Sequence, residues 1–174
     1  MTGNTLQINS IKRAIGQLTM RVGIMQIRDA ISDFTDTEGN FNRFKNALLG
    51  LPATQLDEKY YFTSWENWQK IIDTINPILS QFNWKAERFD CDDRALLVTA
   101  LTALFFDINT VRPVYCDVYR VSDGQFAFAH YANVIVDLNG NAWLWDVDEF
   151  GKFVKITSLK PIIGNKKYIL KAVK

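Results

Sequence analysis

Residues 89–106 read FDCDDRALLVTALTALFF, and the reading of the fold turns on that stretch. Asp90 is placed to cap a helix that opens with Cys91 and runs to Phe106. After its first turn the segment is almost wholly apolar. A helix apolar on every side is expected to lie buried at the centre of a domain. Beyond it the period changes. Val114, Cys116 and Val118 alternate with Tyr115, Asp117 and Tyr119, the two-residue repeat of a half-buried strand. Residues 122–125 (SDGQ) mark a turn and 126–137 a long strand. Leu138-Asn139-Gly140 makes a hairpin turn into 142–148, and 153–156 and 168–173 supply two further strands.

Upstream of the central helix, residues 59–63 (KYYFT) read as a strand. Thr63 with Glu66 matches a capping box for a helix through Trp65, Trp68, Ile71, Ile72 and Ile75, which Pro77 bends or ends. Residues 41–49 form a short amphipathic helix closed by Gly50 and Pro52, and 35–40 (TDTEGN) read as a loop. Ile11, Ile15, Leu18, Val22, Met25 and Ile31 lie near helical spacing within residues 9–34. Helices first and antiparallel strands afterwards is an α+β order with helices segregated from the sheet. Residues 1–58 are expected to be an N-terminal helical accessory region and 59–174 the main domain.

Bulk properties narrow the function classes. The 174 residues are 48% hydrophobic and 13% aromatic, a globular composition able to bury a core without staples. Twenty basic and nineteen acidic residues leave a formal charge of +1, so no electrostatic footprint for nucleic acid is present. No Lys/Arg run suggests a membrane surface, the apolar stretch 95–106 is too short to span a bilayer, and no signal peptide is visible, which gives a cytoplasmic expectation. Cys91 and Cys116 are expected to be free thiols. Neither sits in a metal spacing, and with a single histidine in the chain structural zinc is not expected, nor is a cofactor.

The residues that could do chemistry are Cys91 and His130. A thiol at a helix N-terminus faces unpaired N–H groups, and the helix dipole favours its thiolate by about 0.3–1 kcal/mol at an exposed end. Asp90, Asp92 and Asp93 oppose that effect, so Cys91 needs an imidazole partner. His130 shares a strand face with Phe126, Phe128, Ala132, Val134 and Val136 on two-residue counting. The turn decides which acid orients it. A two-residue Asn139-Gly140 turn pairs His130 with Glu149 and sends Asp146 to the other face. A three-residue turn through Leu138, with Gly140 in the left-handed position, pairs His130 with Asp148 and keeps Asp146 on the same face, one diagonal step away. Cys116 falls on a core position.

Three groups of residues carry a resemblance to a known family: 61–68 (YFTSWENW); Phe89-Asp90-Cys91-Asp92-Asp93-Arg94-Ala95; and His130-x-x-Asn133 followed by Asp137, Gly140 and Trp143-x-x-Asp146. From residue 59 onward the chain resembles the transglutaminase-like, papain-like cysteine peptidase domains of bacteria and phages. The resemblance implies a papain/transglutaminase-like α+β fold and a triad of Cys91, His130 and Asp146, with Asp148 the rival acid. Arg94 stands where that family has an aromatic, Tyr131 where it has a small residue, and Asp146 where Glu is more familiar. No Gln precedes Cys91 as an oxyanion donor, which leaves the Cys91 backbone N–H and the Trp84 indole.

The expected function is therefore a cysteine-dependent hydrolase, a thiol protease or amidase acting on a peptide or protein substrate through a thioester acyl-enzyme. The alternatives are an inactive binding or structural module on the same fold, and a cation-binding protein using the carboxylates around Cys91 and Asp146. Trp65, Trp84 and Trp145 are candidates for lining a cleft.

Overall fold

The computed structural model describes residues 36–82, 90–149 and 152–174. The elements are β1 (Asp36–Gly39), α1 (Phe41–Ala47), β2 (Tyr60–Thr63), α2 (Trp65–Leu79), α3 (Cys91–Phe106), β3 (Val111–Arg120), β4 (Phe126–Val136), β5 (Ala142–Asp146), β6 (Lys152–Lys155), β7 (Ile162–Ile163) and β8 (Lys166–Val173). One compact unit spans Phe34–Lys174. Phe44, Leu48 and Leu51 share its core with the sheet strands. The helical spacing in residues 9–34 lies outside the described residues. No helix among those described is long and apolar enough to cross a membrane.

Six antiparallel strands form one sheet in the order β6-β5-β4-β3-β8-β7. β3 is flanked by β4 on one side and the C-terminal β8 on the other, with register irregularities at Val118/Tyr119 and Tyr115/Cys116. Such bulges deepen the right-handed twist. The outer strands β6 and β7 approach each other, so the sheet curls into a nearly closed barrel. Its interior holds Val114, Cys116, Val118, Ala132, Val134, Val136, Leu144, Tyr168 and Leu170, with Phe44, Tyr60 and Phe62 packed against them.

This architecture corrects the expected class. The described residues are mainly β, a nearly closed six-stranded antiparallel sheet with three helices, which is not the papain/transglutaminase-like α+β fold. The order of elements along the chain was legible. Whether the sheet stays open or curls is decided by the long-range pairing of β3 with β8, which no local pattern encodes.

Four local expectations are also corrected. α3 is not buried all round: Leu96 and Leu104 are 56% and 68% exposed, while Ala95, Val98, Leu101 and Thr102 face the sheet. Residues 36–39 form a strand because they pair with β2, despite low strand propensity. Gly39 suits that position, since a Cβ there would meet the Phe62 ring at 2.6 Å. The cap of α2 is Ser64, whose side chain accepts from the Asn67 N–H; Thr63 instead accepts from the Asn67 side chain. α2 also continues through Pro77 to Leu79, because the proline falls in the last turn, where only one backbone bond is lost.

The β4–β5 hairpin sets the register on which the candidate site depends. Val136 pairs with Ala142 and Asn133 with Trp145, and Asp137 N–H donates to the Asn141 carbonyl. The three residues 138–140 therefore form the turn, with Gly140 at φ +75°. The Gly140→Ala variant should lose about 1 kcal/mol of stability in urea unfolding, because its Cβ meets nothing within 4 Å and the cost is purely the left-handed backbone. An unchanged midpoint would mean that the turn relaxes without strain.

Candidate functional site

The site centres on His130 of β4, with residues of α3, the turn after β5 and the start of β8 around it. β3 places Cys116 directly opposite His130 on β4, and both face the interior. Cys116 is fully buried and its thiol donates to the His130 carbonyl. Burial, then the charge of Asp146, pushes that thiol's pKa far up, so it stays protonated. It is a core residue, as its strand position suggested.

The three-residue turn puts Asp146 on the interior face as well. Its Oδ1 lies 3.1 Å from His130 Nε2 and also accepts the Asp148 backbone N–H at 3.0 Å. Its Oδ2 accepts the Tyr168 hydroxyl of β8. His130 and Asp146 are only 5% and 1% exposed. A buried carboxylate is tolerable when its lone pairs are filled, and here donors reach both oxygens. Burial works to raise the Asp146 pKa, but the bonds from His130, Tyr168 and the Asp148 N–H lower it overall. Tyr168 is pushed far up, by burial first and then by Asp146, so it acts only as a donor.

Burial is also the largest influence on His130, and it lowers the pKa. The hydrogen bonds to Asp146 and Cys91 and the charges of both outweigh it and raise the value to about 9. With Nε2 taken by Asp146, Nδ1 is the remaining ring nitrogen of an imidazole that lines one pocket with Cys91, a half-exposed thiol at the start of α3. Asp90 is the N-cap but its side chain makes no capping bond. It bonds Asp92 instead, which raises the Asp92 pKa. α3 is tied to β4 by Asn133, fully buried, whose side-chain amide donates to the Ala95 carbonyl at 3.0 Å. That bond holds the first turn of the helix against the strand that carries His130.

The structure thus sets Cys91 and His130 on the lining of one pocket and bonds Asp146 to the imidazole at Nε2. Asp148, the rival acid, stands on the other side of the ring, its Oδ2 4.0 Å from Nδ1. Arg94 Nε pairs with the opposite oxygen of Asp148 at 3.1 Å. A pocket of ≈ 590 Å³ opens over Cys91 and His130, walled by Arg94, Phe128, Ala129, Asp148 and Lys166. Tyr168, Arg94 and Phe128 had no assigned role in the sequence reading. Tyr168 lies 22 residues from Asp146 on a strand paired elsewhere, so no local signal pointed to it. Trp145 is buried and Trp65 stacks on Trp143, so neither lines this pocket; Trp84 lies outside the described residues.

No family model and no curated protein matches the chain. Among solved structures it is similar to a lectin of Polyporus squamosus, solved bound to a human-type influenza-binding epitope, Neu5Aca2-6Galb1-4GlcNAc. The TM-score is 0.50 and the identity 16%, over 67% of this chain and 45% of that one. This likeness concerns the fold. It corrects the expected papain/transglutaminase-like fold: a structural neighbour is a lectin with a barrel-like sheet, and the descriptions cysteine protease, thiol protease, transglutaminase-like and papain-like find no support in the comparisons.

The pKa of His130 predicts a pH dependence of stability. Its folded value, about 9, lies above the ordinary 6.5. The stability it contributes is therefore complete below pH 6.5 and is lost as pH rises through 9. Urea unfolding should show that fall. Asp146→Asn should flatten it, cost about 3 kcal/mol at pH 6.5, and bring the imidazole pKa down when followed by NMR. An imidazole pKa unmoved by Asp146→Asn would show that the carboxylate does not hold its charge.

Proposed function

We propose that the chain is a cysteine-dependent hydrolase that cleaves an amide, peptide bonds included, through a thioester acyl-enzyme. The observation that carries this reading is the placement of Cys91 and His130 on the lining of one open pocket, with Asp146 bonded to the imidazole at Nε2. Each member has the environment its role requires. The thiol is accessible, the imidazole is basic enough to hold a proton, and the carboxylate is ionised, buried and fixed by Tyr168.

In the first step Cys91 Sγ attacks the substrate carbonyl carbon while its proton resides on His130 Nδ1. The C–N bond then breaks, and the departing nitrogen takes that proton. Water next gives a proton to His130 and attacks the thioester. Collapse releases the acid, and the proton returns to sulfur. Asp146 keeps Nε2–H pointed at itself throughout, so Nδ1 faces the reaction. The Cys91 backbone N–H opens α3 and has no partner within the helix, which makes it a donor for the developing oxyanion. Phe128 and Ala129 give the pocket an apolar wall for a substrate side chain.

A module that keeps the fold and binds without reacting is the competing reading, and labelling kinetics separate the two. With iodoacetamide at neutral pH, Cys91 should react much faster than Cys116. His130→Ala should slow Cys91 by on the order of 10²-fold and leave Cys116 unchanged. Equal, slow labelling of Cys91 in both proteins would remove the hydrolase and leave the binding module.

A further inference from the structure

The strand that carries His130 has an open edge, and that edge runs into the pocket. We propose that it takes the substrate as an extended peptide, which lies along residues 128–131 as an added strand and carries its scissile amide into the pocket. Along a strand, backbone N–H and C=O groups turn alternately to one neighbour and then to the other. Val136 N–H donates to the Thr110 carbonyl at 2.9 Å, and the Cys116 thiol of β3 reaches the His130 carbonyl. Val136, Val134, Ala132 and His130 thus address β3. Asp137 N–H donates to the Asn141 carbonyl on the other side, so Ile135, Asn133, Tyr131 and Ala129 address the side of β5. β5 pairs with residues 133–136 and goes no further. Among the described residues, no strand pairs with that side of Tyr131 and Ala129.

Proteins guard exposed strand edges with lysine, proline or brevity. The two outer strands of this sheet do so: β6 begins and ends with lysine, and β7 is two residues long and follows Pro161. Residues 126–132 (FAFAHYA) carry no lysine, carboxylate or proline. Phe128 and Ala129 are exposed, and both line the pocket with His130. Ala129 adds only a methyl group, so its backbone stays open to a partner. A residue facing Ala129 on an antiparallel peptide exchanges both bonds with it, N–H to carbonyl and carbonyl to N–H. The peptide residue beside it then sets its side chain on the face of Phe128. The occupant that fits is a peptide several residues long, in β conformation, with an apolar side chain against Phe128. A lone amide or a folded helix offers no such row of groups. Naming this peptide as substrate rests on the hydrolase reading; its docking does not.

The test uses the full chain as Cys91→Ala, which cannot turn the probe over, isotope-labelled for amide NMR. The probe is acetyl-Ala-Phe-Ala-Phe-Ala-amide. In the free protein the amides of His130 and Ala132 should exchange slowly in heavy water, and those of Ala129 and Tyr131 fast. The probe at millimolar concentration should slow Ala129 and Tyr131, and acetyl-Phe-amide should not. Methylating the probe's backbone nitrogens one at a time should weaken binding by at least about ten-fold at alternate positions only, because only those nitrogens face the edge. Ala129→Pro removes an N–H that faces the open side, where proline is tolerated. It should stay folded in a thermal melt and weaken the probe; should it unfold, the methylation series decides. Slow exchange of Ala129 and Tyr131 in the free protein, exchange indifferent to the probe, or equal tolerance of methylation at every position would each overturn the edge. Protection by the probe, with slow iodoacetamide labelling of Cys91 in the wild type, would keep the docking strand and remove the hydrolase. Fast labelling, with Ala129 and Tyr131 indifferent to the probe, would keep the hydrolase and remove the strand.

Discussion

The register of β4 against β5 is the constraint on which the site depends, and a single buried carboxylate holds it. Asp137 is 1% exposed and sits at the end of β4. Its Oδ1 accepts the backbone N–H groups of Asn139 and Asn141, each at 2.9 Å, and its Oδ2 accepts the Trp143 indole N–H at 3.0 Å. These bonds wrap the turn around one side chain and leave room for three residues and no other number. Strand side chains alternate, so a slip of one residue would turn Asp146 to the outside of the sheet and leave His130 without its acid. The same turn is anchored to the rest of the fold. Leu138 N–H donates to the Thr63 carbonyl, and the Arg43 guanidinium donates to the Leu138 carbonyl.

From that register follows an unusual concentration of polar groups in an apolar interior. His130, Asp146 and Tyr168 lie beside Cys116 and the aliphatic side chains of β3, β4 and β5. In such surroundings an unpaired charge costs several kcal/mol, and a paired one is tolerated only when every strong donor and acceptor is matched. The network meets that condition by drawing on three strands and the turn after β5. The imidazole pKa is raised to about 9 in spite of burial because its hydrogen bonds to Asp146 and Cys91, together with their charges, outweigh desolvation. The thiol is set apart at the pocket edge, where α3 begins, and Asn133 fixes that helix against β4.

Arg94 shows how a residue that departs from a family pattern acquires a meaning in the structure. It is 3% exposed and stands one turn into α3. It pairs with Asp148, and its guanidinium also reaches the Phe82 and Val147 carbonyls. An aromatic at that place would leave Asp148 without its cation. Burial already raises the Asp148 pKa, and the charge of Arg94 works in the opposite direction. The wall of the pocket is thus an ion pair where hydrophobic packing would otherwise stand.

The sequence by itself determined most of the elements and the candidate pair. The apolar run after Cys91 could only be a helix, and the alternation from Val114 onward could only be strands. A single histidine on the interior face of a long strand left one partner for a thiol at a helix end. Whether Glu149 or the pair Asp146 and Asp148 shares the face of His130 was narrowed to the length of one turn, since two-residue periodicity converts turn length directly into facing. What only the tertiary structure decided were the features that depend on residues far apart in the chain: the curl of the sheet through β3 and β8, the strand at 36–39 induced by β2, the exposed side of α3, and Tyr168 on Asp146. Local patterns record which side chains are apolar and at what period. They do not record which of two edges a strand will join, and in this chain that choice shaped the barrel and completed the network behind His130.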